Sequence, residues 1–294
     1  MTTTVMSERR EPAWTQSGRV AVIAGEGRMP LEVAQHLQEH GHRPPFVILS
    51  GSEEDTEPGL RRFDHECLPL EGAARLVPIL RRAGVSHAVL AGGITRRPRW
   101  QAFLTSWRLV GLLPKILRHL RRGDDGLLRL LVDHLERHGI AVIGAHEVMP
   151  DLLAAAGPLT EAKPNDRDRR DLEAGLVAAR AIGALDVGQA AVAIGGRAIA
   201  LEGIEGTDGL LQRVAALRSH GRLAGAAGGV LVKCAKPGQE LRADLPAIGP
   251  ETVTRAHEAG LAGIGVEAGR SLVLDQARTI GEANRLRLFI TGLT

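Results

Sequence analysis

The chain has 294 residues, of which 44% are hydrophobic, and this length is enough for one large domain or two ordinary ones with buried cores. No apolar run approaches the roughly 18 residues that a membrane-spanning helix needs. Aromatic residues make up 2% of the chain and tyrosine is absent, which disfavours the stacking surfaces that bind single-stranded nucleic acid, so we expect no nucleic-acid partner. Cys67 and Cys234 are too few for a disulfide framework, which favours a cytoplasmic location.

The net charge of +3 is unevenly spread along the chain. Residues 96–122 hold eight lysines and arginines and no acidic residue, so the rest of the chain is net negative. Within this basic segment, residues 99–122 carry two tryptophans among apolar residues and cations at near-helical spacing. The pattern predicts a segment that lies in a membrane interface and contacts acidic lipid. An ordinary amphipathic helix with a basic outer face is the alternative.

The first part of the chain alternates strand-like and helix-like segments, after a start at residues 1–17 that is typical of a disordered tail. Its strands are continuous apolar runs, which is the pattern of strands buried on both faces of a parallel sheet. We therefore predict a doubly wound parallel sheet, with helices on both faces, in a domain of residues 18–156. The predicted strands are 19–25, 45–51, 86–93 and 140–145, and the predicted helices are 30–41, 71–84 and 124–139.

Residues 149–170 interrupt this alternation with three prolines and a cluster of charges, and we place the boundary between two domains there. The residues that follow, 157–294, predict a mixed α/β domain. Gly195 and Gly196 between two apolar runs are a strong signal for a β-hairpin within residues 189–204. Further strands are predicted at 228–236, 261–269, 271–275 and 288–292, and helices at 171–185, 208–218, 250–260 and 276–287.

Two glycine-containing loops follow predicted strands of the first domain. Gly25 and Gly27 lie in the segment AGEGRMP before a helix, whose free N–H groups are suited to a phosphate. Gly92 and Gly93 lie in AGGITRRP at the same carboxyl edge of the sheet, so we expect the two loops to meet and to bind substrate. Pro30 stands where the dinucleotide fingerprint needs its third glycine. Plain tight turns are the alternative.

Acidic residues crowd the segment EGIEGTDGLLQR, which lies between a predicted strand and a predicted helix. Glu202, Glu205 and Asp208 stand there with Thr207. Carboxylate oxygens are the ligands that Mg²⁺ prefers, so the segment is a candidate site for that cation. The alternative is structural, because Thr207 or Asp208 would also make a normal helix N-cap.

The segment KCAKPGQELRADLPAIGP combines cations, carboxylates and rigid prolines. Lys233, Lys236 and Arg242 are candidates for neutralising a pyrophosphate, and Asp244 is a candidate for holding a metal or orienting a water. Gln239 is a further candidate for binding the substrate. A loop that neutralises itself through salt bridges is the alternative.

Together these segments resemble the LpxI-type UDP-2,3-diacylglucosamine pyrophosphatases of lipid A synthesis. The resemblance runs from Arg19 to Gly292 in one colinear order, which makes it more specific than any single glycine loop. It is carried by IAGEGRMPLEVA, GDDGLLR, GAHEVMPDLL, LDVGQAAVA, EGIEGTDGLL, VKCAKPGQELRADLPAIGPETV and AGLAGIGVEAGRSLVLD.

The resemblance implies a Mg²⁺-dependent hydrolase that cleaves UDP-2,3-diacylglucosamine to lipid X and UMP, with water attacking the α-phosphorus. It also implies a Rossmann-like N-terminal domain, a C-terminal catalytic domain, a substrate bound between the two, and a homodimer. Because one end of this substrate carries two hydrophobic acyl chains, we further expect peripheral association with the cytoplasmic face of the inner membrane through residues 96–122.

The family motif RVDLPTIG reads RADLPAIG here, which carries the role of the family's key aspartate onto Asp244. We expect Asp208 to assist it, both in catalysis and as a metal ligand. The chain departs from the motif at Ala243 and Ala247, which concerns substrate preference more than the reaction. It also departs at Glu26, where glycine is common and where an acidic side chain would weaken a phosphate contact.

Two other functions remain open from the sequence. One is a nucleotide-sugar oxidoreductase that uses the Rossmann-like half, although the missing third glycine and the absence of tyrosine count against it. The other is a non-catalytic module that binds acidic lipid through residues 96–122.

Overall fold

The computed structural model describes residues 18–40, 45–50, 57–93, 124–221, 223 and 227–294. The described residues divide into two compact units, one within Met1–Ile116 and Leu130–Val148, the other within Leu117–Arg129 and Met149–Thr294. Within these ranges no helix is long and apolar enough to cross a membrane. The predicted tail at 1–17 and the basic segment at 96–122 lie outside the described residues, so both stay predictions.

The first unit is built on a five-stranded parallel sheet with the strand order β3-β2-β1-β4-β5. The central strand reads Val-Ala-Val over residues 20–22 and is buried, because helices cover the sheet. The predicted doubly wound parallel sheet is confirmed. Its strands are β1 (Arg19–Ala24), β2 (Phe46–Leu49), β3 (Asp64–Cys67), β4 (Val85–Ala91) and β5 (Ala141–Ile143), and its helices are α1 (Met29–Glu39), α2 (Leu76–Arg82), most of α3 (Asp124–Arg137) and α4 (Ala145–Val148).

The second unit holds a six-stranded mixed sheet with the order β6-β13-β11-β9-β7-β8, beside a small parallel pair, β10 and β12. Strands β9, β11 and β13 are parallel, whereas β6, β7 and β8 pair antiparallel with their neighbours. This confirms the predicted mixed α/β domain. The strands are β6 (Gly157–Pro158), β7 (Ala190–Ala193), β8 (Ala198–Leu201), β9 (Val230–Lys233), β10 (Ala247–Ile248), β11 (Gly263–Glu267), β12 (Leu272–Val273) and β13 (Phe289–Leu293); the helices are α5 (Asp166–Ala184), α6 (Gly206–Leu217), α7 (Pro250–Glu258) and α8 (Gln276–Leu286).

The two faces of the second sheet carry different helices. Val192 and Leu231 pack into the core that α6, α7 and α8 cover, whereas the next residues, Ala193 and Val232, pack against α5. Helix α5 comes close to the strands because Gly175 has no side chain: a Cβ there would lie 2.6 Å from a methyl of Val232. Alternation along each strand therefore decides which helices a side chain meets at the sheet edge.

The predicted hairpin is confirmed between β7 and β8. Gly195 and Gly196 have φ of 65° and 76°, a left-handed pair that suits a tight two-residue turn. The Ile194 N–H donates to the Arg197 carbonyl at 2.9 Å and closes it.

Helix α5 begins five residues before the predicted start at residue 171. Asn165 accepts hydrogen bonds from the N–H groups of Arg167 and Asp168, and the Asp168 carboxylate accepts one from the Asn165 N–H. This reciprocal cap, with acidic side chains at the positive end of the helix, stabilises a first turn without apolar periodicity. The predicted start was wrong because it depended on that periodicity.

We expect Gly292→Ala to destabilise the second unit by about 1–3 kcal/mol, because a Cβ at this position of β13 would overlap the carbonyl oxygen of Ala155. Gly281→Ala is the matched control, since nothing lies within 4 Å of a Cβ there and alanine favours a helix. Urea unfolding of both variants checks this. Equal stability of Gly292→Ala and the wild type would contradict the expected overlap.

Candidate functional site

Polar side chains gather at the carboxyl edge of the second sheet. The parallel strands β9 and β11 end at Lys233 and Glu267 on this edge. Strand β7 runs the opposite way and starts there, with Ala190 opposite Lys233. Strand β8 ends there too, and Glu202 follows it. Loops at the carboxyl edge of parallel strands are where open α/β sheets bind ligands, so this edge is the candidate site.

Lys233 is a buried cation at the centre of this edge. Its side chain lies on the face covered by α6, α7 and α8 and is 9% exposed. The ammonium donates a hydrogen bond to the Ala247 carbonyl at 3.0 Å. Burial lowers the pKa of Lys233, and the negative charges of Glu202, Asp244 and Asp208 oppose that shift. Acidic residues of two segments, one with Glu202 and Asp208 and the other with Asp244, thus favour the charged form of this ammonium.

Glu202 ties the start of β7 to the start of α6. One carboxylate oxygen accepts the Gln189 N–H at 2.7 Å, and the other accepts the Thr207 hydroxyl at 2.6 Å. Glu202 is buried and Thr207 half-buried. The N-cap position of α6 is Glu205, and no side chain caps this helix end, so the alternative that Thr207 or Asp208 is the N-cap is wrong.

Asp244 and Asp208 are the exposed carboxylates of the site. Asp244 accepts a hydrogen bond from the Gln239 side-chain amide at 2.7 Å. The Gln239 amide oxygen in turn accepts the Lys236 N–H at 2.9 Å, so this buried side chain orients Asp244 against the loop backbone. Asp208 pairs with the Arg255 guanidinium at 3.3 Å. Gln239 therefore contacts a predicted catalytic residue directly.

The other two predicted cations form ion pairs at or near this segment. Lys236 Nζ lies 2.7 Å from Asp186 Oδ1. Arg242 Nε lies 2.9 Å from Glu240, and these hydrogen bonds lower the pKa of Glu240. The alternative of a self-neutralising loop thus describes part of this segment, and the phosphate-binding role of both cations stays a prediction.

Glu267 was missed by the sequence analysis as a site residue. Its carboxylate accepts the Ala235 N–H at 3.1 Å and pairs with Arg180 at 3.4 Å and Arg270 at 3.7 Å. It thereby fixes the backbone that follows Lys233 from the α5 face of the sheet. An acidic residue at the end of a buried strand was the available signal in the sequence.

Cys234, between Lys233 and Ala235, is buried. Burial raises the pKa of its thiol to about 11, which supports a packing role and not nucleophilic attack.

The glycine loops of the first unit meet, as the sequence predicted. The Glu26 N–H donates to the Gly93 carbonyl at 2.8 Å, and the Gly93 N–H donates to the Glu26 carbonyl at 3.1 Å. A Cβ at Gly25 or Gly92 would overlap the backbone of the opposite loop, so these glycines permit the close approach. Gly27 has φ of 91° and open space where a Cβ would stand. Phosphate binding by all four glycines stays a prediction.

The acidic residues of this edge have the donor chemistry that Mg²⁺ takes. Among the residues that the structure describes, no group of three or more His, Cys, Asp or Glu side chains is placed to hold a metal ion. Mg²⁺ commonly binds through one or two carboxylates together with phosphate oxygens and waters. The metal-binding role of Asp244 and Asp208 therefore stays a prediction.

Comparisons with known proteins cover almost the whole chain. A model of the LpxI N-terminal domain matches residues 19–152, and a model of the LpxI C-terminal domain matches residues 155–291. The protein named UDP-2,3-diacylglucosamine pyrophosphatase LpxI of Caulobacter vibrioides is 38% identical over 281 residues. That alignment covers 94% of this chain and 97% of the relative.

We expect Lys233→Met to flatten the pH dependence of stability on the alkaline side. Since burial lowers the pKa of Lys233 below its usual 10.5, the unfolded chain binds more protons than the folded one between the two pKa values. The free energy of unfolding of the wild type therefore rises with pH in that window, and methionine removes this contribution. Urea unfolding at several pH values from about 8 to 10 measures the slope.

The exposed Lys163 provides the control, because Lys163→Met leaves this buried charge in place. For Lys163→Met, the free energy of unfolding is expected to change with pH as it does in the wild type. If Lys233→Met also showed the wild-type pH dependence, the lowered pKa of a buried Lys233 would be contradicted.

Proposed function

Because the chain belongs to the LpxI family, we propose that it hydrolyses the pyrophosphate of UDP-2,3-diacylglucosamine to lipid X and UMP in lipid A biosynthesis. The observation that carries the proposal is the polar carboxyl edge of the second sheet, where the buried Lys233 ammonium donates to the Ala247 carbonyl and Gln239 holds the exposed Asp244. Membership of a hydrolase family leaves the oxidoreductase and the non-catalytic lipid-binding module without an observation that favours them.

The reaction needs an oriented water and stabilised phosphate charge. Water attacks the α-phosphorus, the bond from that phosphorus to the bridging oxygen breaks, and the sugar 1-phosphate leaves, so that UMP keeps the α-phosphate. We assign the orientation of the water to Asp244, because its side chain is exposed and is held by Gln239. Lys233 would supply positive charge at a buried position, where water screens it little.

The proposed Mg²⁺ ion would be held by Asp244 with help from Asp208. When bound, it would supply Lewis-acid stabilisation of the phosphate oxygens. Asp208, at the start of α6, already has a cationic partner in Arg255. Substrate binding in this proposal further uses Thr207 and Gln239, and the charge of Lys236 and Arg242.

The remaining parts of the proposal rest on the sequence. Gly25, Gly27, Gly92 and Gly93 would contact the substrate through their backbone. The basic segment at 96–122 would bring the enzyme to the cytoplasmic face of the inner membrane, where a diacylated substrate lies. The functional form would be a homodimer.

We expect the wild type to convert UDP-2,3-diacylglucosamine to UMP and lipid X only when Mg²⁺ is present. Asp244→Asn is expected to lower kcat by about 100-fold or more, because the amide keeps the shape but loses the charge that orients the water. Chromatography of UMP and mass spectrometry of lipid X measure both products.

Asp151→Asn is the control, since Asp151 is exposed in the turn Pro150–Leu152. It is expected to keep wild-type activity. Absence of turnover by the folded wild type would contradict the proposed function. Full activity of a folded Asp244→Asn variant would contradict the role of Asp244 alone.

A further inference from the structure

The hydrogen bond between Thr207 and Glu202 decides which way the Thr207 hydroxyl points. A threonine hydroxyl has one proton to donate and two lone pairs that accept. The Thr207 proton is directed at Glu202 Oε1, with 2.6 Å between the oxygens. The other carboxylate oxygen, Oε2, accepts the Gln189 N–H at 2.7 Å. Glu202 therefore acts as an acceptor at both oxygens and takes the only proton that Thr207 can offer.

The Glu202 side chain is held in place, so its carboxylate cannot easily rotate away from Thr207. That side chain is buried, with 6% of the residue exposed. The backbone of Gly188 packs closely against the Glu202 backbone, since a Cβ on Gly188 would lie 2.5 Å from the Glu202 carbonyl oxygen. The Gln189 N–H and the Thr207 hydroxyl each occupy one carboxylate oxygen. The Glu202 carboxylate is thus buried and held by one partner at each oxygen, while Thr207 is half-buried.

We propose that Glu202 is a positioning residue that fixes the Thr207 hydroxyl as a hydrogen-bond acceptor toward the ligand. Thr207 then binds an N–H or O–H group of the substrate and not a phosphate oxygen, because two acceptors facing each other would repel and leave both without a proton. The inference rests on the proposed function, which supplies the substrate, and it sharpens the role of Thr207 within that site.

The substrate offers such donors at both ends. The uridine part has a ring N–H and ribose hydroxyls, and the diacylglucosamine part has an amide N–H and sugar hydroxyls. The two products separate these sources, because UMP carries only the first set and lipid X only the second. Affinities for the two products therefore identify which end contacts Thr207, independently of turnover.

The test is a double-mutant cycle with Thr207→Val and Glu202→Gln. Valine removes the hydroxyl at nearly the same volume. Glutamine at position 202 reverses the polarity of the contact with Thr207. Its amide oxygen still accepts the Gln189 N–H, so its N–H₂ group then faces the Thr207 hydroxyl. We expect each change to lower kcat/KM about tenfold, and the double variant to lose no more than about tenfold in all, since both remove the same contact. Thr207→Ser is expected to stay within about twofold of the wild type.

Calorimetry gives the second readout, with each change weakening the affinity for either UMP or lipid X and not for both. Glu173→Gln on α5 is the matched control, because Glu173 is exposed, and it is expected to leave kcat/KM and both affinities unchanged. The proposal is overturned if losses multiply in the double variant, if Thr207→Val keeps wild-type kcat/KM and affinities, or if Thr207→Ser loses as much as Thr207→Val.

Circular dichroism reports whether Glu202→Gln folds. If it does not fold, Thr207→Val and Thr207→Ser still decide the matter, since neither touches the buried carboxylate. An inactive wild type that binds both products would overturn the proposed function. If the wild type is active and Thr207→Val keeps wild-type kcat/KM and affinities, only the positioning role of Glu202 is overturned.

Discussion

Burying the Lys233 ammonium at the end of β9 is the constraint on which the site depends. A charge that leaves water loses its hydration, and only fixed oxygen atoms around it can replace that hydration. Here the Ala247 carbonyl accepts a hydrogen bond from the ammonium, and the negative charges of Glu202, Asp244 and Asp208 favour its charged form. These groups come from two segments, 202–208 and 244–247, that are far apart in the chain. Burial of this cation thus depends on both segments lying at the same edge of the sheet.

The alternation of side chains along the strands divides this edge into two groups. Lys233 and Glu202 lie on the face of α6 and α7, where Glu202 accepts the Thr207 hydroxyl. Cys234 and Glu267 lie on the α5 face, and Glu267 pairs there with Arg180. Glu267 accepts the Ala235 N–H and so holds the backbone that follows β9 from the α5 face. Consecutive residues at the end of β9, Lys233 and Cys234, therefore lie on opposite faces of the sheet.

Much of the fold could be predicted from local patterns. Apolar runs located the central strands of both sheets, and Gly195–Gly196 located the hairpin. Strand β3 was missed because its sequence, Asp-His-Glu-Cys, is an edge strand without an apolar pattern. The start of α5 was misplaced because the capping box around Asn165, not periodicity, begins that helix. Both failures come from elements whose stability depends on hydrogen bonding more than on burial.

The sequence by itself determined the composition of the candidate site. Motifs in colinear order named the carboxylates, the cations and the glycines, and no tertiary information was needed for that. Only the tertiary structure decided what surrounds them. Lys233 is buried, Gln239 donates a hydrogen bond to Asp244, and Lys236 and Arg242 have acidic partners. Glu267 joins the group by accepting the Ala235 N–H. The physical reason is that burial and hydrogen-bond partners depend on residues far along the chain, which spacing within one segment cannot reveal.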